Sequence, residues 1–420
     1  MTPEWNPNME QLNQRRVERH LRRRKETVRR RRRKTLSMVA GCLAMIALGL
    51  GLFFLVRRGE NKKPEVSQQS TQPAQVAPAD GTVIHLVAAG DVNVTDAIVA
   101  SGGSNYDYSN TFLDVAHLLA EGDLTVVNFE GNLCGAPYGD SRSAPQSFVE
   151  ALDRCGVDLL QLANSYSIYQ GISGLQATIQ GVKNADMEPL GVYGDERAYK
   201  AGKGYTIKEV EGVKIAFVAF TKGMDGMTLP QGSEHCVNLL YSDYDSTYQN
   251  VNRKAIQTVL DAVAEEEPDL TVAMLHWGSE YNDNISKTQE DVAALLQSEG
   301  VDVILGTHPH YVQKITFDAA SGNFVAYSLG DLISDGQRSG TQYSIILNLE
   351  ITKTAEGTKV TDYSYTPIFT VAERGSSLRS VRIAETIGAY ESGHIRSVKP
   401  ETYDSLTYAL TRIEARVSGE

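Results

Sequence analysis

Two histidines bracket a proline in Gly306-Thr307-His308-Pro309-His310, where the apolar run 301–306 ends. Imidazoles beside a glycine at a strand end seldom serve packing. As nitrogen donors they suit Zn, Fe or Mn, and Ca poorly. An apolar run stopping at polar side chains recurs at Gly90-Asp91, Asn128-Phe129-Glu130, Asn164-Ser165, His276-Trp277-Gly278 and Gly330-Asp331. Taken singly, each has a bland explanation: Gly-Asp after a strand is usually a turn, and a His-Trp pair is usually core. Together they supply two or three imidazoles and two carboxylates, a donor set for one or two divalent ions. Two ions ~3.5–4 Å apart would clamp a phosphoryl group. Extended backbone would aim His308 and His310 the same way, whereas a turn at Pro309 sends them to different ions. The other histidines say less: His85 lies in a strand pattern, His117 in a helical one, and His20, His235 and His394 in polar contexts.

These residues need a scaffold that brings distant segments together. Short runs rich in Val and Ile predict strands at 83–89, 124–128, 157–163, 213–220, 270–276, 301–306, 324–329 and 343–350. Helical spacing lies between several of them: Phe112, Val115, Ala116 and Leu119; Leu175, Ile179 and Val182; Ile256, Leu260 and Val263; and residues 291–299. The alternation predicts an α/β domain over 81–372 with a largely buried sheet. The sheet is expected to be mixed, because Glu211-Gly212 can turn the 213–220 strand back on 204–210. If the strands bearing polar ends are parallel, all six ends share one edge, where open α/β sheets bind ligands. Residues 373–420 form an extension whose helical pattern at 405–417 is expected to pack on the domain.

The N-terminus is a different object. Of the chain's 40 basic residues, thirteen lie in residues 1–34 with four of its 52 acids, leaving 27 against 48, a charge of −21, in residues 35–420. Residues 35–56 carry no charge and would span ~33 Å as a helix, which fits a bilayer core. Arg57 and Arg58 follow, and no small-residue cleavage site does, so an uncleaved anchor is expected with its basic head (1–34) cytoplasmic and its body outside. The head reads as a topology determinant resting on anionic lipid rather than as a nucleic-acid binder. Residues 57–80, rich in Gln, Pro, Ser and Ala, read as a flexible stalk. Four cysteines exclude a disulfide scaffold; Cys134, Cys155 and Cys236 are expected to be buried small apolar residues.

At the polar strand ends the chain resembles the CapA family, capsule and poly-γ-glutamate biosynthesis proteins with a calcineurin-like metallophosphatase fold. The matching stretches are AAGDV (88–92), NFEGNL (128–133), GVKIAFVAFT (212–221), HWGSEYN (276–282), GTHPHYVQ (306–313) and YSLGDLI (327–333). The resemblance implies a layered α/β sandwich with mixed sheets. It implies Asp91 and His310 on one metal, His276 and His308 on a second, and Glu130 bridging or beside them. Three departures stand out. Where the family reads Asn-Asn-His, this chain has Asn164-Ser165-Tyr166, with Tyr169 in place of a following Asp. Ser165 is a weak ligand, and Tyr166, with an ordinary pKa near ~10, is a poor stand-in for a general-acid histidine. Asp331 replaces a usual Asn, and Asn93 stands where the wider superfamily has a His. Asn93, Asn164, Ser165 and Asp331 are therefore doubtful ligands, and the catalytic set would be Asp91, His276 and Tyr166.

The expectation is a membrane-anchored extracytoplasmic protein assisting synthesis or export of a capsule- or poly-γ-glutamate-type anionic polymer, with a partly degenerate dinuclear site. Its partners would be the membrane, the polymer and membrane synthase subunits. A body at −21 does not hold a polyanion by bulk charge, so a local basic patch or bridging metal is needed. Lys200, Lys203, Lys208 and Lys214 are too scattered to form that patch. The alternatives are an active metallophosphoesterase and a non-catalytic scaffold.

Overall fold

The computed structural model describes residues 81–372, 377–394 and 399–419. The basic head, the apolar span and the stalk lie outside these residues, and among the described residues no helix is long and apolar enough to cross a membrane. The strands are β1 (Thr82–Asn93), β2 (Leu124–Glu130), β3 (Leu159–Gln161), β4 (Glu188–Leu190), β5 (Tyr205–Val210), β6 (Val213–Thr221), β7 (Leu270–His276), β8 (Val303–Thr307), β9 (Ile315–Phe317), β10 (Phe324–Ala326), β11 (Asp331–Ile333), β12 (Tyr343–Thr354), β13 (Gly357–Ala372) and β14 (Leu378–Arg382). The helices are α1 (Asp96–Ala100), α2 (Ala116–Leu119), α3 (Gln146–Arg154), α4 (Gly171–Asn184), α5 (Glu196–Gly202), α6 (Arg253–Ala264), α7 (Lys287–Ser298), α8 (Ile383–Glu391) and α9 (Pro400–Ser418).

The strands form two mixed sheets. One runs β14-β13-β12-β1-β2-β3-β4 with β11 added beside β1; the other runs β5-β6-β7-β8-β10-β9. Period-two alternation sorts each strand's side chains between two faces. Leu86 and Ala88 of β1, Val126 of β2, Phe217 of β6, Met274 of β7 and Leu305 of β8 meet in one cluster between the sheets. Their alternates, Val87, Ala89 and Val127, pack under α3 and α4 through Phe148, Leu152, Leu175 and Val182. On the far side, Val218, Phe220 and Leu275 pack under α6 and α7 through Ile256, Leu260, Val292 and Leu296. Helix, sheet, sheet and helix make four layers, a layered α/β arrangement.

The hairpin expected at Glu211-Gly212 joins β5 to β6 in antiparallel register. Within the 157–163 run regular strand covers only β3, and within the 324–329 run only β10, with an isolated bridge from Leu329 to Val312. The C-terminal residues belong to the same framework. β14 extends the first sheet beside β13, and α9 buries Leu406, Ala409, Ile413 and Val417 in the inter-sheet core. Burial of that kind stabilises by about 1.5–3 kcal/mol per large side chain. Cys155 is half-buried and Cys236 buried, but Cys134 is exposed, a correction to the expected burial: it lies in the loop after β2, clear of the sheet, with Sγ 3.6 Å from the Gly174 carbonyl.

Candidate metal centre

β1, β2 and β3 run parallel, as do β6, β7, β8 and β10. Their C-terminal ends therefore carry Asp91, Glu130, Asn164, His276, His308 and His310 to one edge, and β11 sets Asp331 opposite Asp91 in parallel register. Two glycines permit this closeness. A Cβ on Gly90 would lie 1.7 Å from the Gly330 carbonyl oxygen, and one on Gly306 1.9 Å from that of Tyr327. Asp91, Glu130, His276, His308, His310 and Asp331 are all buried.

Hydrogen bonds hold the carboxylates in place. Asn128 Nδ2 donates to Asp91 Oδ1 at 2.6 Å and to Glu130 Oε1 at 3.2 Å. The other Asp91 oxygen accepts the His308 backbone N–H at 3.0 Å. Asn164 Nδ2 donates to Asn128 Oδ1 and to the Phe129 carbonyl, and its Oδ1 accepts the Tyr166 N–H. Its amide thus supports Asn128 from behind.

The imidazoles divide at Pro309. His308 and His310 have φ of 92° and 57°, left-handed conformations that cost a non-glycine residue about 1–3 kcal/mol each. The turn separates their rings by 6.2 Å and brings His308 to 4.3 Å from His276. His310 Nδ1 lies 2.8 Å from Asp331 Oδ1 and 3.5 Å from Asp91 Oδ2, with Nε2 4.0 Å from Glu130. Tyr281 stacks on the His310 ring.

His276 is oriented by Thr221. That hydroxyl donates to the Gly223 carbonyl at 2.7 Å, so at 3.2 Å from His276 Nδ1 it accepts the ring N–H. The proton on Nδ1 leaves the Nε2 lone pair facing Glu130 Oε1 at 2.7 Å. Two acceptors at that distance need a shared proton or cation. An outer acceptor that fixes the tautomer of a histidine in this way is the usual support of a metal ligand.

The charges indicate the same need. Burial, reinforced by the Glu130 charge, pushes Asp91 up to about 7. Burial raises Asp331 to about 6 against the pull of His310. Burial would also raise Glu130, but the charge and hydrogen bond of His276 bring it below the usual range. His308 is pushed well down by burial and then by His276 and Lys222, which leaves it a neutral donor. Burial opposes a proton on His310, yet the charge and hydrogen bond of Asp331, helped by Glu130 and Asp91, hold one there well above the ordinary range.

The residues fit a divalent cation. Ligand atoms of Glu130, His276 and His308, of Asp91, Glu130 and His310, and of Glu280, His308 and His310 each lie within 4.8 Å of one another. Buried His308 Nδ1 has no hydrogen-bond partner.

The remaining predicted residues stand around this cluster. Asn93 Oδ1 accepts from Arg142 Nη1 at 2.6 Å, which turns it toward a loop. Ser165 is buried beside Asn164. Tyr166 lies under the Arg142 guanidinium, 4.2 Å from ring centre, and burial pushes its phenol above the ordinary range. Sequence reasoning passed over Thr221, Lys222, Glu280 and Arg142. The strand-end rule, applied to the 213–220 run, would have found Thr221 and Lys222. Glu280 and Arg142 lie in loops and carried no comparable signal.

Residues 85–336 match the profile of a bacterial capsule synthesis protein family, PGA_cap. The chain is 27% identical over 295 residues to the capsule biosynthesis protein CapA of Bacillus anthracis, covering 68% of each protein. It is 24% identical over 209 residues to the PGA biosynthesis protein CapA of Bacillus subtilis, covering 50% of this chain and 51% of that protein, about half its length. Among solved structures, a calcineurin-like phosphoesterase of Bacillus subtilis is similar at 14% identity and a TM-score of 0.44, over 78% of this chain and 99% of that one.

Proposed function

The chain belongs to the bacterial capsule synthesis protein family PGA_cap, and we propose that it assists synthesis or export of a poly-γ-glutamate-type anionic polymer at the cell envelope, held there by residues 35–56 with its α/β body outside. The observation carrying this reading is the buried convergence of Asp91, Glu130, His276, His308 and His310 within the family-matched residues. The uncharged 35–56 segment behind a basic head supports the anchor. Membrane synthase subunits and the polymer are its proposed partners, and Mn, Fe or Zn its proposed metal.

Asp91, Glu130 and His310 would hold a divalent ion on one side of the cluster, and His276 and His308 face it from the other. A bound ion supplies Lewis-acid polarisation of an anionic substrate's oxygen. The protein's own residues set the stage for it. Asn128 orients both carboxylates, Thr221 fixes the His276 tautomer, and Asp331 orients His310. Arg142 and Arg338, stacked on Tyr166 and Tyr281, supply local positive charge near the cluster on a body whose net charge repels polyanions.

Deleting the gene in its host is expected to lower cell-associated polymeric glutamate severalfold. Wild type should restore it, and Glu130→Gln should not. Unchanged polymer in the deletion strain would overturn the reading.

A further inference from the structure

The two sides of the cluster differ in one group that the family motifs do not include. Lys222, one residue beyond β6, reaches into the His276–His308 side. Its Nζ donates to the Gly278 carbonyl at 2.8 Å and lies 3.4 Å from His308 Nε2. It also sits 4.7 Å from the centre of the Tyr248 ring. Lys222 is half-buried, so this is a seated ammonium rather than a waving surface lysine. An ammonium has donors only, so the His308 Nε2 lone pair facing it is engaged by Lys222.

The loop after β3 offers a weaker ligand than the related motif would. Ser165 stands where the family motif has Asn, and the neighbouring Asn164 amide is committed to Asn128, Phe129 and the Tyr166 N–H. On the other side, Asp91, Glu130 and His310 form a buried ligand triad, and the third carboxylate there, Asp331, contacts His310. One side therefore concentrates negative charge, and the other holds two imidazoles, a shared carboxylate and a fixed positive charge.

We propose that Lys222 takes the place of a second metal ion, so that the site binds a single divalent cation, between Asp91, Glu130 and His310, with the ammonium facing it across Glu130 and His308. This rests on the metal-binding reading above and deepens it. The site then presents two adjacent positive centres to an anionic ligand, one exchangeable and one covalently built in.

The test uses the full-length chain, stripped with a chelator and dialysed against Mn(II), with bound ion counted by elemental analysis and its electron paramagnetic resonance recorded. Wild type is expected to hold one Mn(II) per chain, with the hyperfine pattern of an isolated ion. Lys222→Met is expected to hold two, with an exchange-coupled spectrum, and Lys222→Arg, which keeps the charge, to hold one. Two ions in wild type would overturn the proposal and leave the metal reading standing. One ion in a folded Lys222→Met protein would do the same. Absence of bound ion from wild type would overturn both. The wild-type count decides even if the Met variant fails to fold.

Discussion

Asp91, Glu130 and Asp331 enter the cluster from the eight-stranded sheet, whereas His276 and His308 enter from the six-stranded one, and different forces position the two groups. The carboxylates are held by directional bonds: Asn164 donates to Asn128, and Asn128 donates to Asp91 and Glu130. The imidazoles are backed by packed rings. Trp277, next to His276, is fully buried, stacks on Tyr327 with 9° between planes, and donates Nε1–H to the Tyr327 carbonyl. Buried charge tolerates no loose partner, so the acidic side needs an amide chain. The imidazole side needs fewer directional bonds: the Thr221 hydroxyl steadies His276, and the packed rings behind it supply the rest. His310 is the exception: it leaves the six-stranded sheet and joins the acids, carried over by the left-handed turn at residues 308–310.

If that division holds, cutting each support should give different losses. Trp277→Ala removes a fully buried ring and leaves the Tyr327 carbonyl without its donor. It is expected to lower folding stability by about 3–5 kcal/mol, read from the denaturant midpoint. Asn164→Ala is expected to cost about 1–3 kcal/mol. Equal losses would erase the distinction between packed and hydrogen-bonded halves. Glu130→Gln keeps the shape but removes the charge shared by both halves, 2.7 Å from His276 and 4.0 Å from His310. Its Mn(II) affinity is expected to fall about 100-fold or more in competition with a chelating dye. Unchanged affinity would move the ion away from Glu130.

The halves should also answer differently to pH. Without a cation the acidic side stores protons: Asp91 is raised to about 7 and Asp331 to about 6, mainly by burial, and His310 is raised by its carboxylates. At pH 6 Asp91 and His310 are therefore still largely protonated and Asp331 about half so, and an incoming cation must displace those protons. Binding therefore strengthens as pH rises, by about tenfold per pH unit for each proton displaced. On the imidazole side His308 is lowered and already neutral there, so it adds no slope. Titrations at pH 6, 7 and 8 should show this rise, and Asp331→Asn should flatten it. A pH-independent affinity would mean that the acids are not the ligands.

The same contrast decides what could be read from the residues alone. Polar groups that end apolar runs announced themselves, because a buried strand has to stop where polar side chains begin. Asp91, Glu130, His276 and His308-Pro309-His310 were found in that way. β13, the longest strand at sixteen residues, was not. One of its edges faces β12 and the other β14, but only Val360, Ile368 and Thr370 among its side chains are buried, and Thr, Asp, Tyr and Ser break up its apolar residues, so no apolar run marks it. The supports of the cluster were equally silent. Thr221 acts through one hydroxyl and Asn164 through its amide, and neither type is rare at a strand end. Their roles depend on which neighbour they face, and that is set by sheet order rather than local spacing.

Tyr166 gives the smallest expected effect. Its backbone belongs to the amide chain, since its N–H donates to Asn164 Oδ1 and its carbonyl accepts from Asn132 Nδ2, and Phe keeps both. Its ring supports Arg142, and Phe keeps that face too. The hydroxyl is all that Tyr166→Phe removes, and burial holds that group as a neutral phenol, which is neither an anionic ligand nor a ready proton donor near neutral pH. Mn(II) affinity in this variant should stay within about twofold of wild type, a difference below ~0.5 kcal/mol. A tenfold loss would make the phenol part of the acidic half, and the boundary between the two halves would then have to be redrawn to include the loop after β3.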